Sequence, residues 1–434
     1  MSEAIKPVED SETIKPAEGN LEEINIFDQE LMKCPHAFYK KLRDEAPVYQ
    51  DPNTGIFQVS KHELICEAAR NAKVFSNDFG ALQKDGGSDV YPKEAAEIME
   101  KDGYPAVNTM LTADPPRHTK YRGLVNKAFT PKRVSDMGPE IEKKTNFIID
   151  QFIDNGKCEV ASQLAQPLPI RVIAEALGAS TDDYEFFKIS SQAFTDQLSG
   201  TSTPDEHIEI AKKLVKFQQY FAERLKEKEK NPTDDILSDL ATLEFEDEDG
   251  ILRKMETPEQ LSIIQQLLVA GNATTAHSIT EAIKLLIENP DQMDLVINDH
   301  SLIPNMIEES LRLLTPTNNM WRIATEDTEL GGVAIPAGSA LLLRYGSGNR
   351  DEGLFENPDK FDVTRQNARR HIAFGQGIHV CLGMNLSRKE MYTAFPIILD
   401  RLKNMRFSND NDFNYSPNVL LRGLDNLNIE FDKA

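Results

Sequence analysis

The stretch Phe374-Gly375-Gln376-Gly377-Ile378-His379-Val380-Cys381-Leu382-Gly383 is where the chain concentrates its chemistry. A lone cysteine follows two glycines, precedes a third, and leads into helical sequence. Gly375, Gly377 and Gly383 accept unusual dihedrals and leave room for a flat, bulky ligand against the backbone. A cysteine at a helix N-terminus meets free N–H groups and the positive end of the helix dipole, and both stabilise a thiolate. Such a thiolate is a metal ligand, and N–H groups aimed at its sulfur tune the metal it holds. A free cysteine beside a glycine-rich turn is the plain alternative.

A second group of reactive types lies in the longest helix the pattern predicts. Pro258 suits a first turn, and Thr257 with Gln260 forms a capping box. Apolar residues then run from Leu261 to Leu286, and the pattern stops before Asn289-Pro290. At about 32 residues and 1.5 Å each, this helix is roughly 48 Å long, and its apolar girth sends it through the middle of the protein. In its centre stands Ala270-Gly271-Asn272-Ala273-Thr274-Thr275. Glu309 and Arg312 share a face of a further helix, Pro304–Leu314, and are spaced to pair. His118 and Arg122 are likewise spaced four apart.

These elements resemble the cytochrome P450 family in type and order. Phe374 to Gly383 is similar to its haem-binding signature, with Cys381 in the axial-ligand position. Glu309-Ser310-Leu311-Arg312 is its E-x-x-R. Phe355-x-x-Pro358-x-x-Phe361 with Arg365 resembles the segment packed on that pair, and Asn349-Arg350-Asp351 another of its turns. The resemblance covers about Asn25 to Phe431. It implies a mainly α fold with a minor β portion, one domain, and a long central helix over the haem. It implies haem b as cofactor, with Cys381 pushing electron density onto iron to favour O–O cleavage. Cofactor contacts fall on Phe374, Gly375 and Gly383, and propionate contacts on His118, Arg122, Arg322 and His379. Glu309, Arg312 and Arg365 are structural.

The resemblance also implies an activity: hydroxylation of a hydrophobic small molecule with O2. Gly271 thins the central helix to admit oxygen and substrate, and Thr274 guides protons. The family has an acid before that threonine; here Ala273 replaces it, and a methyl relays no proton. Protons then come through Thr274, Thr275, Asn272 and water. A peroxide-using enzyme, a nitric oxide reductase and a non-catalytic haem sensor stay open as alternatives. The substrate pocket is expected from the irregular stretch 83–110, from Gln266, Leu267 and Ala270, from Thr317, Asn318, Asn319 and Met320, and from Val419 and Leu420, near the last turn at Leu421-Arg422-Gly423.

Composition bounds the rest. The 434 residues are 40% hydrophobic, enough for a large core, and the net charge of −23 argues against nucleic acid as a partner. No run of about 18 apolar residues occurs, so no spanning helix is expected. Residues 1–21 are acidic, contain Pro7 and Pro16, and read as a disordered tail before a catalytic domain at 22–434. Cys34, Cys66, Cys158 and Cys381 are too widely spaced for zinc or a disulfide framework, which fits a cytoplasmic protein. The family motifs fill the chain, so electrons are expected from a separate ferredoxin and ferredoxin reductase. Lys120, Lys127, Arg388 and Lys389 are the expected docking cations, and a monomer is expected. Short strands are expected at Thr325–Leu330, Val333–Ile335 and Ala340–Arg344, with hairpin material at 416–431 and a solvated loop at Glu244–Asp249.

Overall fold

The computed structural model describes residues 20–78, 92–180, 183–199, 202–247 and 249–433. The helices that matter for the site are α1 (His36–Glu45), α2 (His62–Arg70), α3 (Lys93–Asp102), α4 (Arg117–Asn126), α5 (Gly138–Asp150), α6 (Pro167–Ala176), α7 (Tyr184–Ser199), α8 (Pro204–Lys230), α9 (Thr257–Glu288), α10 (Ile303–Leu314) and α11 (Met384–Arg401). The strands are β1 (Val48–Gln50), β2 (Phe57–Val59), β3 (Phe75–Ser76), β4 (Lys157–Glu159), β5 (Glu244–Glu246), β6 (Leu252–Lys254), β7 (Asn319–Ala324), β8 (Thr328–Leu330), β9 (Val333–Ile335), β10 (Ala340–Arg344), β11 (Leu402–Phe407) and β12 (Asn428–Lys433). The largest sheet runs β1-β2-β10-β7-β3, and a second runs β11-β12-β4. No described helix is long and apolar enough to cross a membrane.

The central helix joins two cores. Leu261, Ile263, Ile264, Leu267 and Leu268 of α9 pack with Phe187, Phe194, Phe217 and Phe221 of α7 and α8. Ile279, Ala282, Ile283 and Leu286, further along, pack with Ile148, Leu311 and Phe395 of α5, α10 and α11. Most of this helix is thereby buried. Its N-terminal box lies one residue earlier than expected. Glu256 caps, and the Glu259 carboxylate accepts its N–H at 2.6 Å. Gln260 is drawn elsewhere, giving its amide to the Leu240 carbonyl at 3.0 Å.

Several local expectations change. Residues 1–19 and 83–91 lie outside the described residues, but Leu21 is buried with Ile26, Phe38 and Leu42, so packed chain begins before residue 22. Residues 93–102, expected to be irregular, form α3, whose Ala95 is buried. The loop after it is strapped to α9: Ser262 donates to the Val107 carbonyl at 2.7 Å, and Gln266 accepts from the Leu111 N–H at 3.1 Å and donates to Thr109 at 2.8 Å. Gln266 is therefore committed to this loop. The acidic run enters a hairpin, β5 with β6, not a plain loop. The expected strand Thr325–Leu330 is found as β8, three residues shorter at its start, and β7 just before it was not expected; β7 is held by pairing with both β10 and β3. The 416–431 stretch is no hairpin: only its end is strand, and β12 pairs with β11 and β4.

Glu309 and Arg312 are wholly buried and doubly bonded, at 2.7 and 2.9 Å. Arg365 adds a third charge, donating to Glu309 at 2.8 Å. The spare guanidinium donors go to carbonyls: Arg312 to Asn349 and Pro358, Arg365 to Glu356 and Lys360. Glu309→Ala would leave two buried guanidinium groups without their counter-charge, a loss of about 3–5 kcal/mol. The urea midpoint should fall accordingly; an unchanged midpoint would mean the network does not support the fold.

Candidate active site

The cysteine loop is pinned from three directions. Gly375 and Gly377 adopt φ of 72° and 73°, the left-handed region that favours glycine. A Cβ on Gly377 would lie 2.3 Å from the Ala69 carbonyl oxygen, so this glycine is required by the end of α2 and not by a ligand. Gly383 has φ of −81°, and a Cβ there would meet no protein atom within 4 Å, so neither dihedral nor neighbour demands it. The Cys381 N–H donates to the Phe374 carbonyl at 2.8 Å and closes the loop. Burial pushes the Cys381 thiol up, while the N–H groups of Gly383 and Met384 and the guanidinium groups of Arg122 and Arg388 favour its thiolate.

Beside the loop, cationic side chains converge. The rings of His118 and His379 lie 4.3 Å apart, and the Nε2 atom of each is buried without a hydrogen-bond partner. Arg322, on β7, is 1% exposed and donates to its own neighbour's carbonyl, Trp321. Arg122, on α4, donates to the Val380 carbonyl at 2.6 Å. Burial drives His379 down to about 3, with His118, Arg322 and Arg122 adding repulsion. Burial likewise lowers His118, with Arg122 next. Two unpartnered imidazole nitrogens, the buried Arg322 and the half-buried Arg122 at one place suit an anion carrying more than one carboxylate. Haem, with its two propionates, fits this set and the adjacent thiol.

Near its tie to α11, α9 presents one open spot in its buried length. Ala270 is exposed, and Thr274, one turn on, is half-exposed with its hydroxyl donating to the Ala270 carbonyl at 2.8 Å. Thr275 donates to Ser387 of α11 at 3.1 Å, which fixes this turn over the helix that follows the cysteine. Two expected members face elsewhere. The Asn272 amide donates to Ser191 of α7 at 2.6 Å in a buried interface. Gly271 faces Ile173 of α6, where a Cβ would make an ordinary contact at 3.9 Å. Residue 270, not 271, is therefore the small residue at the open face.

The expected substrate residues also divide. Leu267 is 6% exposed and belongs to a core. Asn318 and Asn319 accept from the Tyr39 hydroxyl at 2.5 and 2.9 Å, and Asn319 donates to the Val419 carbonyl at 2.7 Å. These buried amides are satisfied beneath α1 and offer no polar handle. Thr317, Met320, Val419 and Leu420 stay half-buried. Thr317 bridges to Leu421, so the 317–320 and 419–421 segments do run together.

One network escaped the sequence. Glu308 is fully buried and accepts from Arg388 twice at 2.7 Å, from the Tyr392 hydroxyl at 2.6 Å and from His371 at 3.0 Å. Arg388 also lies 4.8 Å over the Phe374 ring. It is thus a packing residue of the cysteine loop, which corrects its reading as a docking cation. The doubled acid Glu308-Glu309 was the available signal.

Comparison with known proteins agrees with this geometry. The family model described as Cytochrome P450 matches residues 80–423. A 6-deoxyerythronolide B hydroxylase of Saccharopolyspora erythraea is 34% identical over 91% of this chain and 95% of its own. A steroid C26-monooxygenase of Mycobacterium tuberculosis is 32% identical over 91% and 93%. The solved cytochrome P450 CREJ, in complex with (4-ethylphenyl) dihydrogen phosphate, superposes with a TM-score of 0.86 at 28% identity, covering 95% of this chain and all of that one. On matches of this extent, the chain belongs to the cytochrome P450 family, monooxygenases whose haem b iron is held by a cysteine thiolate.

Proposed function

We propose that this chain hydroxylates a hydrophobic small molecule, using O2 and electrons from a separate ferredoxin and its reductase, with Cys381 as axial ligand. The observation that carries this reading is the tie from Thr275 to Ser387, which joins the open turn of α9 at Ala270 and Thr274 to the helix that follows Cys381, beside two histidines with unpartnered Nε2 atoms. His118, Arg122, Arg322 and His379 hold the propionates, while Phe374, Gly375 and Gly383 form the cradle around the sulfur. The relatives named above are a steroid C26-monooxygenase and a 6-deoxyerythronolide B hydroxylase, and the half-buried Thr317, Met320, Val419 and Leu420 with Ala270 bound the substrate.

When bound, the haem supplies reductive O2 activation and oxygen insertion into a C–H bond. The protein's own part is to orient and to move protons. The Thr274 hydroxyl bonds back to Ala270 and can turn to hold a proton at the open face; Thr275 fixes that turn against α11. Ferredoxin docking falls to Lys120, Lys127 and Lys389, since Arg388 is spent on Glu308. No disulfide links any of the four cysteines, in keeping with a reducing cytoplasm.

With NADH, ferredoxin and ferredoxin reductase, the protein should consume O2; without the two partners it should not. Partner-free NADH oxidation driven by nitric oxide would overturn this in favour of a reductase. Arg122→Ala removes one charge-assisted contact, about 1.5–3 kcal/mol. Haem should then pass to an excess of an apo-acceptor about tenfold to a hundredfold more readily; unchanged retention would sink the propionate role. Thr274→Ala should lower product formation about tenfold or more, measured as product formed per minute at fixed NADH; an unchanged rate would remove Thr274 from the proton path.

A further inference from the structure

The methyl of Ala273 leaves the site without the carboxyl that the family pattern places beside its threonine. The side of α9 that carries Thr274 continues past it, however. Residues 270, 274, 277 and 281 are spaced four, three and four apart and share one face of the helix. His277 is the next of them. Its ring is half-buried, and its Nδ1 is buried without a hydrogen-bond partner.

The C-terminal turn lies directly on that ring. A Cβ at Gly423 would fall 2.1 Å from His277 Cγ and 2.2 Å from Nδ1, so only glycine allows the approach. Two residues on, Asp425 is exposed and held in place: the Asn414 amide donates to it at 2.6 Å and the Ser416 N–H at 3.1 Å. Asp425 is the charged group that bears on His277, raising its proton affinity, yet burial dominates and brings the ring down to about 4. The imidazole is therefore neutral at neutral pH and carries one N–H and one lone pair, as a relay requires. One turn further along α9, Glu281 is buried and accepts from the Tyr415 hydroxyl at 3.0 Å, which ties the 415–425 segment to this face of the helix.

We propose that His277, seated between the exposed Asp425 and the turn of Thr274, passes solvent protons to Thr274 and so replaces the acid missing at position 273. This rests on the hydroxylase reading. One ring nitrogen gives its proton, directly or through water, toward the Thr274 hydroxyl. The other takes a proton from the Asp425 side, and exchange between the two tautomers restores the ring. No electron moves, and each passage carries one proton inward. Two passages satisfy O2 + RH + 2 e⁻ + 2 H⁺ → ROH + H2O. Because His277 acts through Thr274, it is a positioning residue and not a catalytic one.

The test has two arms. In the first, the His277 ring is titrated by ¹⁵N NMR in wild type and in Asp425→Asn. Loss of the carboxylate should move the ring's titration downward; an unmoved titration overturns the Asp425 link, whatever the enzyme does. In the second, NADH-driven O2 consumption is followed with ferredoxin and reductase in H2O and D2O. His277→Gln should lower the rate about tenfold or more and raise the solvent isotope effect, with haem content and melting temperature unchanged. Ala273→Asp in the His277→Gln background should recover most of the rate. A His277→Gln rate equal to wild type, or a deficit that Ala273→Asp does not relieve, overturns the relay. A wild type that consumes no O2 with these partners instead overturns the hydroxylase reading beneath it, and the first arm separates the two failures.

Discussion

Burying Glu309 and Arg312 obliges the surrounding chain to satisfy every charge and donor they carry. A lone buried ion is costly, and its repayment depends on geometry. Here the repayment is spread over the segment 349–365. Carbonyls of Asn349, Pro358 and Lys360 receive Arg312, and Arg365 returns to Glu309 while holding Glu356 and Asn357. Asn349 then accepts the Ile372 N–H at 2.7 Å, just before the cysteine loop. The neighbouring Glu308 reaches the same loop through His371 and Arg388. Two adjacent acids on one helix thus fix the approach to Cys381 from behind, without touching it.

The cysteine loop and the central helix then meet through short, specific ties. Thr275 bonds Ser387 three residues into α11, and Arg122 of α4 bonds the Val380 carbonyl. Between them lies the cationic cluster, whose unpartnered nitrogens are costly in a buried setting unless an anion completes them. The cost is local and concentrated where the cofactor's carboxylates belong. Proton supply is the other local problem, since Ala273 contributes nothing, and the C-terminal turn brings Asp425 toward His277 on the same side of the helix.

What the sequence made legible was what depends on near neighbours. The loop glycines, the three-residue spacing of Glu309 and Arg312, and the length of the central helix are properties of a few consecutive turns. The illegible part was where individual side chains find distant partners. Asn272 meets a serine 81 residues away, Arg388 a glutamate 80 away, and Asn318 a tyrosine 279 away. Each is polar and buried, so each takes the partner that tertiary packing offers. Gly271 misled for a related reason. A helix displays a new face every residue, and the open one belongs to Ala270, a matter of about 100° of rotation. Strand β7 was missed because it is set by its pairing with β10 and β3, not by its own composition.

The central claim is that Cys381 binds haem iron as a thiolate, and the visible spectrum of the dithionite-reduced protein with carbon monoxide tests it most directly. The account predicts a Soret band at the thiolate-type position in wild type that is absent from Cys381→Ala. A band where histidine- or thiol-ligated haem absorbs, or a thiolate-type band that survives in Cys381→Ala, would contradict it.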